Sequence, residues 1–279
     1  MITGCTRAPS GGQPATGAAS PAPSSTVEAS GDYLALGDSV VFGYRPSKVT
    51  PIEDYLNPSR FIGYPSDVAH ALGLTAVNAS CPGETTASMI STSAASNGCE
   101  NGPGSTVGYR ALAPLHVSYQ GSQLSFAVRF LEQHPATRLV TLTIGANDLF
   151  RCQATTADHC TGPDFRQTLA QVGSNLDTIL GALRNQAHYR GDLVVLTYYA
   201  LTYRDPSQTE QLNDTLTRHG ERYGARIASG FAAFQAAADR ENGDTCATGL
   251  LIKLPGGGCD EHPSAAGQAA LAKAVEAIV

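Results

Sequence analysis

Short apolar segments alternate with amphipathic segments along most of this chain, and this order restricts the fold more than any other feature. Five segments have the length and composition of buried strands: Tyr33–Leu36, Ala76–Ala79, Leu139–Ile144, Leu193–Thr197 and Arg226–Ala228. Helical patterns lie between and after them: Ile62–Leu72, Leu124–Gln133, Phe165–Asn185, Gln208–Tyr223 and Ala265–Ile278. Buried strands separated by helices are typical of a parallel sheet covered on both faces. The sequence therefore predicts an α/β protein, a three-layer α/β/α sandwich with a mostly parallel five-stranded sheet.

The first 30 residues differ from the rest in composition. They are rich in Pro, Gly, Ser, Thr and Ala and show no apolar period. Such a segment cannot bury enough apolar surface to order itself, so residues 1–30 are predicted to be a flexible tether. Residues 31–279 are long enough to bury a core and are predicted to form a single domain.

The charge of the chain excludes several classes of partner. The net charge is −6 and the isoelectric point is near 5.6, with no cluster of Lys and Arg, which argues against nucleic-acid binding. No apolar stretch approaches the roughly 18 residues that cross a bilayer. The chain has no Cys-x-x-Cys pair and no histidines at ligand spacing, so we expect no metal or other cofactor. We also expect a monomer.

The chain has seven cysteines, of which one lies near the start and six lie in the predicted domain. Six cysteines can pair in 15 ways, and the sequence does not choose among them. Each successive pair brackets a polar loop, so we favour the pairing Cys81–Cys99, Cys152–Cys160 and Cys246–Cys259. Disulfide bonds require an oxidising compartment, which predicts a secreted or extracytoplasmic protein. Buried free thiols in a cytosolic protein are the alternative.

The remaining cysteine, Cys5, ends the segment Ile-Thr-Gly-Cys. This segment resembles the bacterial lipobox, in which the cysteine is lipidated and becomes the N-terminus. The resemblance implies membrane association through a lipid anchor at Cys5. The cationic and apolar leader of a signal peptide does not precede this segment, so a lipid anchor and a chance match both stay open.

A serine and two candidate oxyanion donors each follow a predicted strand, and a histidine precedes the last predicted helix. Ser39 follows the first predicted strand, Gly83 the second and Asn147 the third, and His262 precedes the last predicted helix. A serine hydroxyl needs a base to become a nucleophile, and the pKa of histidine suits that role. Fixed N–H donors stabilise the oxyanion that forms in acyl transfer. Because parallel strands end at the same edge of a sheet, we expect these residues to meet there.

Residues 32–279 resemble the SGNH (GDSL) hydrolase family, in its secreted bacterial esterase and lipase branch. The resemblance rests on the segments Gly-Asp-Ser, Cys-Pro-Gly-Glu-Thr, Gly-Ala-Asn-Asp and His-Pro. It implies a flavodoxin-like α/β/α fold, with Ser39 as the nucleophile and His262 as the base. It also implies an oxyanion hole formed by the backbone N–H groups of Ser39 and Gly83 and the side chain of Asn147.

The chain departs from the family pattern at the catalytic acid. The family commonly has an aspartate three residues before the histidine, where this chain has Cys259. Asp260 lies only two residues before His262. Two versions are open, a Ser39–His262–Asp260 triad and a Ser39–His262 dyad whose imidazole is oriented by the Cys259 carbonyl. We slightly favour the dyad, since a side chain at the other offset is expected to point away.

The resemblance predicts a secreted esterase or lipase, with phospholipase A activity included, that acts on a small ester or a lipid through an acyl-enzyme. A carbohydrate O-deacetylase on the same fold is one alternative. A surface lipoprotein that binds a ligand without turnover is another. Loss of ester hydrolysis in Ser39→Ala would distinguish an enzyme from a binding protein.

Overall fold

The computed structural model describes residues 32–102 and 104–279. Within these residues seven strands form: β1 (Tyr33–Gly37), β2 (Ala76–Asn78), β3 (Leu139–Thr143), β4 (Asp192–Leu196), β5 (Arg226–Ala228), β6 (Leu251–Lys253) and β7 (Cys259–Pro263). The first five strands form one sheet in the order β2-β1-β3-β4-β5, and every pair in it is parallel. Cys5 and the predicted tether, residues 1–30, lie outside the described residues.

Ten α-helices lie within the same ranges: α1 (Ser39–Phe42), α2 (Tyr64–Leu72), α3 (Thr86–Ile90), α4 (Tyr109–Leu112), α5 (Gln123–Gln133), α6 (Ala146–Thr155), α7 (Pro163–Gly181), α8 (Ser207–Arg222), α9 (Gly230–Ala238) and α10 (Ala265–Glu276). Helices α2, α9 and α10 pack together, and α3, α5, α7 and α8 form a second connected group. Strands β1 and β3 are buried along their whole length, as expected for a sheet covered on both faces. The predicted three-layer α/β/α fold is confirmed.

The strand order creates a crevice at the edge of the sheet where the candidate residues lie. From β1 the chain continues to β2 on one side, and from β3 it continues to β4 on the other. In open α/β sheets, ligands bind outside the carboxyl ends of the strands at such a change of direction. Ser39 lies two residues after the end of β1 and Asn147 lies four residues after the end of β3, so both residues flank this crevice.

Strands β6 and β7 form a separate antiparallel hairpin that the sequence analysis did not predict. The segment Cys-Asp-Glu-His-Pro of β7 has neither an apolar run nor an alternating apolar pattern, and β6 is only three residues long. Such segments carry almost no strand signal. The hairpin matters because β7 contains Asp260 and His262.

Three disulfide bonds connect Cys81 to Cys99, Cys152 to Cys160, and Cys246 to Cys259. This is the sequential pairing, so the alternative of free thiols does not hold for these six residues. In the part of the chain that the structure describes, no helix is both long and apolar enough to cross a membrane.

Candidate active site

The turn after β1 presents Ser39 at the start of α1. Asp38 caps this helix, because its carboxylate accepts a hydrogen bond from the backbone N–H of Val40 at 2.9 Å. The hydroxyl of Tyr198 donates a second bond to Asp38. Burial raises the pKa of Asp38 to about 6, in opposition to these bonds. Asp38 therefore holds the turn in shape, although it is adjacent to the serine.

Gly37 allows β1 to end close against β3. Its φ is +139°, and a Cβ at this position would lie 2.0 Å from the carbonyl oxygen of Thr143. The side chain of Gln123 holds the backbone of Gly37 at both ends, since it accepts from the N–H at 2.6 Å and donates to the carbonyl at 3.0 Å. The N–H of Cys81 also donates to this carbonyl, at 3.1 Å. The turn before Ser39 is thus fixed by three separate segments.

His262 joins Ser39 to Asp260 through its two ring nitrogens. Its Nε2 lies 2.9 Å from the Ser39 hydroxyl, and its Nδ1 lies 2.5 Å from a carboxylate oxygen of Asp260. A carboxylate only accepts hydrogen bonds, so Nδ1 carries the proton and Nε2 is free to accept the serine proton. Our slight preference for the dyad is wrong for this geometry, since Asp260 occupies the place that the dyad gives to the Cys259 carbonyl.

The spacing of two residues works because the segment is a strand. Side chains at positions i and i+2 of a strand point to the same face, so Asp260 and His262 of β7 lie side by side. The same Asp260 oxygen accepts the backbone N–H of His262 at 3.1 Å, which fixes the carboxylate against the ring. Our expectation that this side chain would point away treated the segment as a loop.

Electrostatics favour an ionised Asp260. Burial raises the pKa of its carboxyl group, but the hydrogen bonds and the charge of His262 outweigh burial, so the pKa lies below its usual range. An ionised acid beside Nδ1 is placed to stabilise a protonated imidazole at His262.

Gly83 and Asn147 lie beside the serine, and Asn97 connects them. The amide of Asn97 donates from Nδ2 to the side-chain oxygen of Asn147 at 2.9 Å, and its backbone N–H donates to the carbonyl of Gly83 at 2.7 Å. Because the first bond engages the Oδ1 side of the Asn147 amide, the Nδ2 group lies on the opposite side of that amide, away from Asn97. Within the described residues, neither this Nδ2 group nor the N–H of Gly83 donates a hydrogen bond. Both donors are available for an oxyanion.

Asp148 ties the Asn147 segment to the Gly83 segment. Its carboxylate accepts from the backbone N–H of Thr86 at 2.9 Å and from the Thr86 hydroxyl at 2.6 Å. Asn175 of α7 donates to the same hydroxyl at 2.9 Å. Burial raises the pKa of Asp148 to about 6, against the lowering effect of these bonds. The bonds fix the start of α6 relative to α3.

A comparison of the sequence with models of protein families agrees with this geometry. The model of the GDSL-like lipase/acylhydrolase family matches residues 35–270, which is most of the chain and includes each of these segments. The chain belongs to this family. Membership makes it an ester hydrolase. Among proteins with curated functions, none matches this chain.

Solved structures of several enzymes are similar in fold to this GDSL family member. Phospholipase A1 from Streptomyces albidoflavus NA297 is 20% identical, with a TM-score of 0.53 over 90% of this chain and 100% of that one. An acetylxylan esterase from Geobacillus stearothermophilus is 16% identical, with a TM-score of 0.52 over 90% of this chain and 94% of that one. At such identities the similarity shows the fold alone.

Two cavities of the GDSL protein meet at Ser39. The smaller, here the inner cavity, has a volume of about 300 Å³ and lies between Leu149, Leu201 and Leu212. The larger, here the tyrosine cavity, has a volume of about 760 Å³ and is lined by the side chains of three tyrosines: Tyr44, Tyr55 and Tyr109. Ser39, Asn147 and His262 line both cavities. The two sides of an ester can therefore occupy separate spaces.

Sequence reasoning missed the residues that hold the site residues in place. Asn97 carries no family motif, and its only signal is a position inside the loop that Cys81 and Cys99 close. Gln123 is a buried polar residue at the start of a helix, and the sequence does not show which backbone it contacts. Contacts over more than 80 residues of separation, such as Gln123 to Gly37, leave no local pattern.

The described residues bring metal-ligating side chains together at two places. Cys81 and Cys99 lie beside Glu84, but their sulfur atoms form a disulfide bond. Asp260 and His262 lie beside Glu261, but their ligand atoms bond to each other and to Ser39. Neither group presents a free set of ligands. The expectation that the enzyme needs no metal stays a prediction.

Proposed function

We propose that this protein is an extracytoplasmic carboxylic-ester hydrolase that uses Ser39 as its nucleophile. The observation that supports this most is the continuous hydrogen-bond chain from Ser39 through His262 to Asp260, beside two unused N–H donors. Three disulfide bonds support the location, because such bonds persist in oxidising compartments. We keep lipid anchoring at Cys5 and a monomeric state as parts of this proposal that need their own tests.

The geometry supports a two-step reaction. His262 Nε2 takes the Ser39 proton as the Oγ attacks the ester carbonyl carbon, and the carbonyl oxygen becomes an oxyanion held by Gly83, Asn147 and the Ser39 N–H. As the intermediate collapses, the carbon–oxygen bond to the alcohol breaks and His262 gives its proton to the leaving alcohol. Water then attacks the acyl-enzyme, loses its proton to His262, and releases the carboxylic acid and free Ser39.

The two cavities support an assignment of the two parts of the substrate. Leucine side chains line one part of the inner cavity, beside polar residues such as Gln153, Asp205 and Gln208, and we assign the acyl chain to the leucine part. In the tyrosine cavity, the ring of Tyr44 lies 4.9 Å from the ring of His262, which must reach the leaving oxygen. We therefore place the acyl group in the inner cavity and the alcohol in the tyrosine cavity. The limited inner volume favours short or medium acyl chains over those of lipids with long chains.

The test is hydrolysis of p-nitrophenyl esters from acetate to hexadecanoate by the parent and by Ser39→Ala. We expect hydrolysis by the parent, with lower rates at the longest chains, and a loss of at least ~10³-fold in the variant. Equal rates from the two proteins would contradict the assignment of Ser39 as the nucleophile. A ligand-binding lipoprotein would then be the better hypothesis. A parent rate that rises steadily to hexadecanoate would contradict the acyl assignment.

A further inference from the structure

Three neighbouring phenol rings form one corner of the lining of the tyrosine cavity. The ring centroids of Tyr44, Tyr55 and Tyr109 are 6.0, 6.1 and 6.4 Å apart, so they form a nearly equilateral triangle. The rings are tilted against one another by 59°, 75° and 57°. A flat group, such as a sugar ring, stacks on one face or on parallel faces. Tilted faces around one corner fit a rounded group instead.

The charges around this corner favour a cation. The lining of the tyrosine cavity includes Glu53 and Glu261, and in the described part of the chain it includes no Lys or Arg. Both carboxylates are exposed, and neither forms an ion pair with a described residue. Lys48 is close enough to influence Asp260 but does not line the cavity. The cavity therefore offers negative charge without a compensating partner.

Tyr55 and Tyr109 remain neutral and offer ring surface to the cavity. Burial raises the pKa of Tyr55 and Tyr109 well above the ordinary value, so both phenols keep their protons near neutral pH. The buried hydroxyl of Tyr109 has no hydrogen-bond partner among the described residues. The negative faces of aromatic rings attract cations, and several rings together form the sites that recognise quaternary ammonium groups.

The position of the corner relative to His262 sets the length of the ligand. In an ester of choline the ammonium nitrogen lies two carbons beyond the ester oxygen, or about 3–4 Å away for bonds of about 1.5 Å at tetrahedral angles. The Tyr44 ring lies 4.9 Å from the His262 ring, which delivers the proton to that oxygen. An alcohol oxygen at His262 therefore places the ammonium group against Tyr44.

We infer that the tyrosine cavity selects esters whose alcohol carries a quaternary ammonium group, held by Tyr44, Tyr55 and Tyr109 and by the charge of Glu53 and Glu261. This inference rests on the proposed function, because it assigns the alcohol to the tyrosine cavity. It adds the chemical class of the alcohol. The reaction then releases choline or a similar amino alcohol that keeps its positive charge.

The test compares butyrylcholine with 3,3-dimethylbutyl butyrate, a neutral ester of the same shape, by titration of the released acid. We expect kcat/KM for the choline ester to exceed that for the neutral ester at least tenfold, or about 1.4 kcal/mol. Tyr44→Leu and the double variant Glu53→Gln/Glu261→Gln should each bring this ratio toward one. Glu132→Gln removes the charge of an exposed carboxylate on α5, outside the cavity, and should keep the parent ratio.

Four results would overturn this inference and leave the esterase assignment intact. They are a parent ratio near one, a ratio that Tyr44→Leu does not change, hydrolysis of p-nitrophenyl esters but of neither butyrate, and faster turnover of acetylated xylo-oligosaccharides than of butyrylcholine. A preference for dibutyryl phosphatidylcholine, whose ammonium group is farther from the ester, would overturn the assignment to simple choline esters.

A binding measurement separates this inference from the catalytic proposal, because it needs no turnover. Calorimetric titration of Ser39→Ala with tetramethylammonium chloride should show binding, and neopentanol, a neutral molecule of similar shape, should bind at least tenfold more weakly. Binding should be lost when Tyr44→Leu is added to Ser39→Ala. Equal binding of the two molecules, or no binding of either, would overturn the inference even if the protein hydrolyses no ester.

Discussion

The turn that carries Ser39 and the hairpin that carries His262 are anchored by different kinds of contacts. Ser39 follows a fully buried strand of the main sheet, and the backbone before it is held from three other segments. His262 lies on β7, outside that sheet, where one partner strand, the Cys246–Cys259 bond and a hydrogen bond from the Tyr199 hydroxyl to the Glu261 carbonyl hold the hairpin. The nucleophile therefore depends on the core, whereas the base depends on a peripheral element. Changes to the hairpin should reduce catalysis without unfolding the domain.

The largest expected effect distinguishes the roles of Asp260 and Asp38, the two acidic residues next to the catalytic serine and histidine. Asp260→Asn should lower kcat by about 10²–10⁴, because the asparagine no longer holds the imidazole in the required tautomer. The midpoint of thermal unfolding should change little. Asp38→Ala, in the serine turn, should instead lower the free energy of unfolding by about 1–3 kcal/mol, because the Val40 N–H and the buried Tyr198 hydroxyl lose their acceptor. Parallel measurements of ester hydrolysis and thermal unfolding check this pair. Equal effects of the two variants on stability would remove the distinction between the turn and the hairpin.

Asn97 tests whether the oxyanion donors need support from the loop closed by Cys81 and Cys99. Asn97→Ala should lower kcat about tenfold and leave KM nearly unchanged, since the bond orients a donor that acts mainly in the transition state. Steady-state kinetics on one ester, analysed for kcat and KM separately, give the answer. A rise in KM alone would show that Asn97 contributes to binding and does not position Asn147.

The disulfide bonds allow a matched comparison of hairpin and core. Cys246→Ser/Cys259→Ser opens a loop with a sequence separation of 13 and should cost about 3 kcal/mol of stability. It should also lower the rate several-fold at temperatures where the domain stays folded, because β7 loses a constraint. Cys152→Ser/Cys160→Ser serves as the comparison, since it opens a loop after α6 and leaves β7 and its disulfide bond intact, and it should keep the rate within about twofold. Equal rate losses in the two double variants would count against a special role of the hairpin.

The prediction at Glu84 concerns the stability of the core. Burial raises its pKa to about 7, despite hydrogen bonds from Ser88, Asn101 and Gln123. Between about pH 4.5 and 7 the folded state keeps a proton that the unfolded state has lost, so stability falls as the pH rises through this window. The fall should be on the order of 3 kcal/mol. The free energy of unfolding, measured with denaturant across this pH range, should depend less on pH in Glu84→Gln than in the parent. An equal pH dependence in the two proteins would contradict the role of Glu84.

Much of the fold was predictable because its signal is local. The five strands of the main sheet were predicted, although β5 begins with an exposed arginine, and the five helices with a regular apolar pattern, α2, α5, α7, α8 and α10, were predicted too. The other five described helices, α1, α3, α4, α6 and α9, were not predicted. The site residues were predictable from a local signal too, since Ser39, Gly83 and Asn147 each follow a strand. The parallel arrangement then brings them to one edge of the sheet.

The acid was harder to predict because its position depends on the conformation of a polar segment. Asp260 reaches His262 because β7 is extended, and the residues of β7 carry no pattern that indicates a strand. The supporting residues were also hidden, since Gln123 and Asn97 act through contacts with distant backbone and side-chain atoms. The shape of the two cavities depends on how loops from several parts of the chain pack, which no local pattern records.

Covalent labelling with an organophosphonate ester tests most directly whether Ser39 and His262 act as one unit. Phosphonylation of a serine needs the same base and oxyanion donors as ester hydrolysis, so it reports on the whole site. Mass spectrometry of digested protein should find one adduct per chain, on Ser39, and the labelling rate should fall at least ~10²-fold in His262→Ala. An adduct on a different residue, or labelling of Ser39 at an undiminished rate in His262→Ala, would contradict the assignment of nucleophile and base.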